Sequence, residues 1–233
     1  MNRKLSLSFL FLIFSLLTFS QPKEEVIRSF FNDALTSSSA EENLRYLCKE
    51  TPGRLAGSEA SLKAIEFTAE ALREAGADTV WLQEVMVPHW VRGEEHGSAV
   101  SAVYGRMELN IGALGLSVGT GKEGITANIV EVTSFDQLKE LGKEVISGKI
   151  VFFNRPVDNT LIDTFRGYSG SVSQRVSGAS EASPFGALAV IVRSPTQANH
   201  DFIHTGVVRY YDGDPGIPAM VISRSAQTGC QNG

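Results

Sequence analysis

Ile129-Val130-Glu131-Val132, then Thr133-Ser134-Phe135-Asp136-Gln137-Leu138-Lys139-Glu140-Leu141-Gly142-Lys143-Glu144-Val145, then Lys149-Ile150-Val151-Phe152-Phe153 is the stretch that decides the fold. A short apolar run comes first. A segment with Leu138, Leu141 and Val145 at helical spacing follows, and a second apolar run closes the unit. Ser134, with Gln137 three residues on, forms the capping pair that starts the helix. Downstream, residues 171–182 read as a helix although serine and glycine are frequent there, and Ala187 to Val192 reads as a buried strand. Ile217 to Ile222 reads as the last strand. It is expected to begin at a sheet edge, because Pro218 has no N–H for a ladder. Strands alternating with helices predict a compact α/β unit of about 100 residues.

Working upstream, Gly115 to Gly124 holds four glycines and is expected to connect elements rather than form one. Val100 to Met107 and Leu109 to Leu116 are strand candidates. Val80, Leu82, Val85 and Val87 alternate, with one slip, and predict another strand over 79–87. Before them come three helices. Val26, Ile27, Phe30, Phe31 and Leu35 repeat at helical spacing; Ser39 with Glu42 makes a capping box for a helix carrying Leu44, Leu47 and Cys48. The loop Thr51-Pro52-Gly53-Arg54-Leu55-Ala56-Gly57-Ser58 precedes a third helix with Leu62, Ile65, Ala69 and Leu72 on one face, ending at Gly76. The main boundary falls between residues 105 and 125. The division is 21–110 and 111–223, with a polar tail, 224–233, that has no hydrophobic period.

Residues 1–20 read as a secretory leader. Arg3 and Lys4 are positive, Leu5 to Leu17 is apolar but for serines, and Thr18-Phe19-Ser20 places small residues for cleavage before Gln21. The apolar stretch is shorter than the roughly 20 residues of a spanning helix. No cysteine stands near the cleavage point, which argues against lipid attachment. The expected location is secreted or periplasmic. Taking Arg3 and Lys4 from the 21 basic residues leaves 19 against 26 acidic ones, a net charge of −7. That balance argues against nucleic acid and anionic membrane as partners. Of the two cysteines, Cys48 is expected as a buried free thiol on its helix. Cys230 lies in the polar tail, and the question of a bond between them stays open.

Several motifs are weighed and set aside. Gly115-Leu116-Ser117-Val118-Gly119 fits the serine hydrolase elbow, but the glycines after it make a poor helix start. A phosphate loop would need glycine at Leu116 and a hydroxyl at Glu123. His89, His96, His200 and His204 make neither H-E-x-x-H nor H-x-D, and Arg92 stands where H-x-x-E-H needs its first histidine. Zinc needs three or four converging side chains. These histidines therefore read as loop residues bonding the backbone, and Glu94-Glu95 as a solvated pair. Trp90 beside Arg92 either stacks on a substrate or covers core surface.

A set of separate motifs in one order carries a resemblance. Gly53 to Ser58, Pro88-His89-Trp90-Val91-Arg92-Gly93-Glu94-Glu95, Gly124-Ile125-Thr126-Ala127, Thr133 to Asp136, Gly148-Lys149-Ile150-Val151, Arg193-Ser194, His204-Thr205-Gly206 and Ile217-Pro218-Ala219 resemble the carboxypeptidase Q type of secreted zinc exopeptidase. The likeness runs from about Glu42 to Ser223. It implies an α/β zinc-peptidase domain, begun by residues 21–110, and an inserted protease-associated α/β domain over 111–223 that lies against the catalytic cleft.

It also implies two zinc ions, hydrolysis of small peptides from one end, a peptide substrate, and a fold that allows a homodimer. The family's metal-binding motifs fall later than the residues matched here. No catalytic residue and no metal ligand is therefore assigned in this chain, which reads as an N-terminal fragment, inactive alone. His89, Trp90, Arg92 and His204 are the candidates for lining the substrate cleft. The competing readings are a non-catalytic protease-associated module that binds a peptide or protein, and a serine hydrolase acting through Ser117.

Overall fold

In the computed structural model of this chain, residues 23–103, 105–198 and 200–224 are described. The leader, Cys230 and the tail beyond Arg224 lie outside them. The chain divides into two compact units between Val87 and Pro88, so residues 88–110 group with the second.

The first unit is helical. α1 (Lys23–Thr36), α2 (Ser39–Lys49) and α3 (Glu59–Glu74) fall where the apolar spacing places them. The capping box expected at Ser39 does not form. Ser38 is the N-cap instead, and its backbone is already helical, so its side chain accepts no backbone N–H. Its hydroxyl donates to the Glu42 carboxylate at 2.5 Å. Ser58 caps α3 in extended conformation and accepts the Ser61 N–H at 3.1 Å.

Between α2 and α3, the carbonyl of Leu47 accepts from the Thr51 hydroxyl at 2.9 Å and from Arg54 Nη1 at 2.8 Å. This satisfies a helix-end group that would otherwise lack a partner. Tyr46 of α2 stacks on Phe67 of α3, ring centroids 3.8 Å apart. Cys48 stands two residues from Tyr46, on another side of the helix. It is an exposed free thiol, not the buried one expected. The apolar side chains of these helices are largely uncovered: Phe30 is 69% exposed, Phe31 65% and Leu35 81%. Residues 79–87 form no strand. Alternation supplies a two-sided ribbon but not a partner edge, and among the described residues none pairs with it; Trp81, Val85 and Met86 are exposed.

The second unit holds two sheets among its described residues. The expected strand over 100–107 is a hairpin: β1 (Ser98–Ser101) pairs antiparallel with β2 (Gly105–Glu108). The main sheet comprises β3 (Ile111–Ala113), β4 (Ile129–Val132), β5 (Ile150–Phe153), β6 (Ala189–Arg193) and β7 (Ala219–Ile222), in the order β3-β7-β6-β5-β4. β4, β5, β6 and β7 run parallel and β3 is antiparallel to β7. The sheet is thus mixed and the class α/β. α4 (Phe135–Ile146) crosses from β4 to β5, with the Ser134 hydroxyl accepting the Gln137 N–H at 3.0 Å as predicted.

α5 (Thr164–Ala182) crosses from β5 to β6 and begins seven residues before the predicted start, capped by Asp163. β7 is an interior strand, which corrects the edge expected from Pro218. That proline stands just before the ladder, and its carbonyl accepts the Val190 N–H at 2.8 Å.

One face of the sheet carries Val132, Val151, Phe153, Val190, Val192 and Val221, packed against Leu138 and Ile146 of α4 and Ala179 and Ala182 of α5. Phe153 meets Phe135 edge-on at 5.6 Å. α5 lies so close to Phe153 that a Cβ on Gly178 would come within 2.8 Å of its ring. This explains a glycine in the middle of a 19-residue helix, where glycine otherwise costs about 1 kcal/mol.

Candidate functional site

Two groups of side chains in the second unit hold the residues that the sequence singles out. The first gathers at the outer edge of β3. Trp90 Nε1 donates to the carbonyl of Ser117 at 3.0 Å. Arg92 lies over the Trp90 ring, 5.0 Å from its centre, and its Nη1 donates to the carbonyl of Ala113 at 3.2 Å. Glu95 pairs with Arg92 and accepts the Ala113 N–H at 2.8 Å. Both backbone groups of the edge residue are therefore taken by one ion pair, which blocks the strand addition that open edges invite. Glu95 is half-buried in this role rather than simply solvated, while Glu94 and His89 are exposed.

Ser117 is engaged from both sides: its hydroxyl accepts the Ala219 N–H at 2.8 Å and donates to the carbonyl of Val118 at 2.9 Å. No helix starts directly after it, the next one beginning at Phe135, so the nucleophile elbow is not built. Beside this group opens a cleft of about 450 Å3, lined by residues 94–96, the glycine-rich 117–124 and the start of β7 at 218–220. Its exposed polar side chains are Glu94, His96, Thr120, Lys122 and Glu123, and its half-buried lining includes Ala113, Pro218 and Met220.

His204 belongs to the second group, in the loop from β6 to β7. Ser194 holds that loop: its hydroxyl donates to the carbonyl of Ile222 at 2.7 Å and accepts the His204 backbone N–H at 3.1 Å. His204 stacks on His200, centroids 5.4 Å apart and planes 12° apart, and His200 Nδ1 accepts the Phe202 N–H at 3.3 Å. Arg175 of α5 reaches the same loop, its Nη1 donating to the carbonyl of Thr205 at 3.1 Å. Burial, then His200, then Arg175 hold the His204 imidazole below its ordinary value of 6.5. No hydrogen bond or ring contact among the described residues joins His204 to Trp90 or Arg92. Sequence reasoning missed Arg175 and Tyr168. A single cation among serines and glycines carries no periodic signal, and the helix was read to start after Tyr168.

A third polar run crosses the carboxyl ends of the parallel strands, where open α/β sheets place ligands. Asn154 Nδ2 donates to Glu131 at 2.8 Å, and Arg193 Nη1 donates to Asn154 Oδ1 at 3.2 Å. Burial, followed by the nearby Arg224, lowers the Arg193 guanidinium from its usual value, and Glu131 opposes the shift. Among the described residues no three His, Cys, Asp or Glu side chains converge to hold a metal ion. The described groups therefore do not fit a zinc centre.

Comparison with known proteins gives the chain its relatives. Carboxypeptidase Q of Bos taurus is 39% identical over 217 residues, which is 88% of this chain and 43% of that protein. Carboxypeptidase Q of Homo sapiens is 38% identical over 215 residues, with the same coverage of each. The solved structure of a peptidase M28 precursor from Shewanella amazonensis SB2B superposes with a TM-score of 0.79 at 31% identity, over 88% of this chain and 46% of that one. No family model matches. The chain is thus homologous to carboxypeptidase Q along nearly all its length, and it spans less than half the length of the relatives it matches.

Proposed function

We propose, from this homology to carboxypeptidase Q, that the chain is the N-terminal part of a secreted or periplasmic zinc exopeptidase that hydrolyses small peptides from one end. The identity of 39% over 88% of the chain carries the reading. In it the first unit is the opening portion of the peptidase domain. The second contains the inserted protease-associated domain, taken as 111–223, and forms a wall of the substrate cleft. His89, Trp90, Arg92 and His204 are the wall residues proposed to meet the peptide. Two zinc ions would activate water and polarise the scissile carbonyl, held by side chains beyond those described.

The uncovered apolar faces of α1, α2 and α3 support this. Those faces are what a peptidase domain's further elements would bury, at about 25 cal/mol per Å2 of apolar surface. The leader sequence supports export. Homodimerisation of the longer protein is compatible with the reading.

A polypeptide that continues this chain into a metal-binding half should release single residues from dipeptides with zinc and stop when a chelator is added. The 233-residue chain should not. Chelator-sensitive turnover by the short chain would overturn the fragment reading, and its absence from the longer one would overturn the exopeptidase reading.

A second reading is a non-catalytic peptide- or protein-binding module. It is favoured by the complete core of the second unit, where Leu114, Leu138, Phe153 and Ile222 are fully buried without any further element.

A further inference from the structure

Arg175 carries a positive charge that is paired with no carboxylate among the described residues. Its Nη1 donates to the carbonyl of Thr205 and its Nη2 to the hydroxyl of Tyr168, both neutral acceptors, at 3.1 and 2.5 Å. Its Nε is buried and has no hydrogen-bond partner. A Cβ on residue 206 would fall 2.6 Å from that Nε, so Gly206 lets the loop close down onto the guanidinium. Among the described residues no carboxylate lies within ion-pair distance of it. Leaving a half-buried cation unpaired is costly, and such a cation favours an anion.

The groups around it say which anion. Two short ring series meet at the loop: Phe165 lies 6.2 Å from Tyr168, which lies 5.5 Å from the Arg175 guanidinium, and His204 lies 5.4 Å from His200, which lies 5.2 Å from Phe202; Arg175 joins them by its bond to the carbonyl of Thr205, the chain neighbour of His204. The outermost rings, Phe165 and Phe202, are 73% and 74% exposed. The centre offers one fixed charge and two imidazoles. The flanks offer bare aromatic surface.

We infer that Tyr168, Arg175, His200 and His204 form a site for a single carboxylate attached to an apolar group, flanked by Phe165 and Phe202. The terminal carboxylate of a peptide ending in an apolar residue has this chemistry. That identification of the source rests on the exopeptidase reading above; the anion site itself does not. The charged and titratable groups acting on His204 are His200 from its own loop, stacked on its ring, and Arg175 from α5, which bonds the carbonyl of the adjoining Thr205. A bound anion offsets the repulsion from Arg175, so the site takes its ligand more tightly as the pH falls and His204 gains a proton.

The test follows the His200 and His204 imidazole signals of the full 233-residue chain by NMR, at constant ionic strength. N-acetyl-glycyl-phenylalanine, its C-terminal amide and inorganic phosphate are added in turn. The free acid should move both signals and raise the pH at which His204 titrates, while the amide and phosphate leave them in place. Arg175→Gln should weaken the free acid about tenfold, the loss expected for one charge-assisted contact. His204→Gln should flatten the pH dependence. Phe202→Ala, at an exposed position that the fold does not need, should remove any preference for N-acetyl-glycyl-phenylalanine over N-acetyl-glycyl-glycine. Unmoved signals with the free acid, equal movement with the amide, or a match by phosphate would each overturn the assignment. The readout needs neither zinc nor turnover. Binding without peptidase activity in a longer chain would therefore leave the site standing and sink the exopeptidase reading alone.

Discussion

Ala113 stands where the main sheet ends, and the Arg92–Glu95 pair closes its N–H and carbonyl as a neighbouring strand would. Trp90, under the Arg92 guanidinium, ties the same segment to Ser117. These residue types could be chosen from sequence as cleft candidates because cations and aromatics crowd binding sites. Their bonds add a role that no linear pattern announces, since Ala113 and Ser117 lie more than twenty positions away from Arg92 and Trp90. His204 shows the converse. Its place beside His200 was visible as a four-residue spacing, whereas its environment depends on an arginine in a distant helix. Because burial, His200 and Arg175 hold its imidazole below 6.5, the folded chain binds fewer protons there than the unfolded one. This contribution to stability is complete above 6.5 and is lost as the pH falls through the lower folded value. Exchange protection of the β6 amides should therefore drop between pH 7.5 and pH 5, and His204→Gln should reduce that drop. An unchanged slope in the variant would show that His204 does not carry it.

At the scale of elements, α5 depends on Gly178. Alanine there would raise helix propensity, yet its Cβ would sit 2.8 Å from the ring of Phe153, a fully buried side chain already held edge-on by Phe135. The steric cost of about 1–3 kcal/mol exceeds the propensity gain of about 1 kcal/mol. Gly178→Ala should therefore lower the urea midpoint of the second unit, and a raised midpoint would show that the ring gives way.

α4 and its flanking strands were legible because capping, spacing and apolar runs all agreed, and because the pairing partners follow closely in the chain. α5 was read short. Its first two turns run Thr164-Phe165-Arg166-Gly167-Tyr168-Ser169-Gly170-Ser171, in which two glycines and two serines give weak propensity, and the helix is set by packing on β5 and β6. The strand over 79–87 failed for the opposite reason: the pattern was strong, but a strand exists only with a partner. The hairpin at 98–108 was read as a single strand because its turn interrupts the apolar texture so briefly.

The whole chain comprises a helical unit with largely exposed apolar faces and an α/β unit with a closed core. Homology to carboxypeptidase Q accounts for both if the helical unit is the opening of a larger domain. The apolar run behind Arg3 and Lys4 was enough to suggest export. Metal chemistry was inferred through relatives alone, because the four histidines form neither H-E-x-x-H nor H-x-D and so give no ligand spacing to read. Calorimetric titration of zinc into the purified 233-residue chain tests this most directly. The account predicts no tight, stoichiometric uptake. One or two zinc ions bound per chain, released only by a strong chelator, would contradict it.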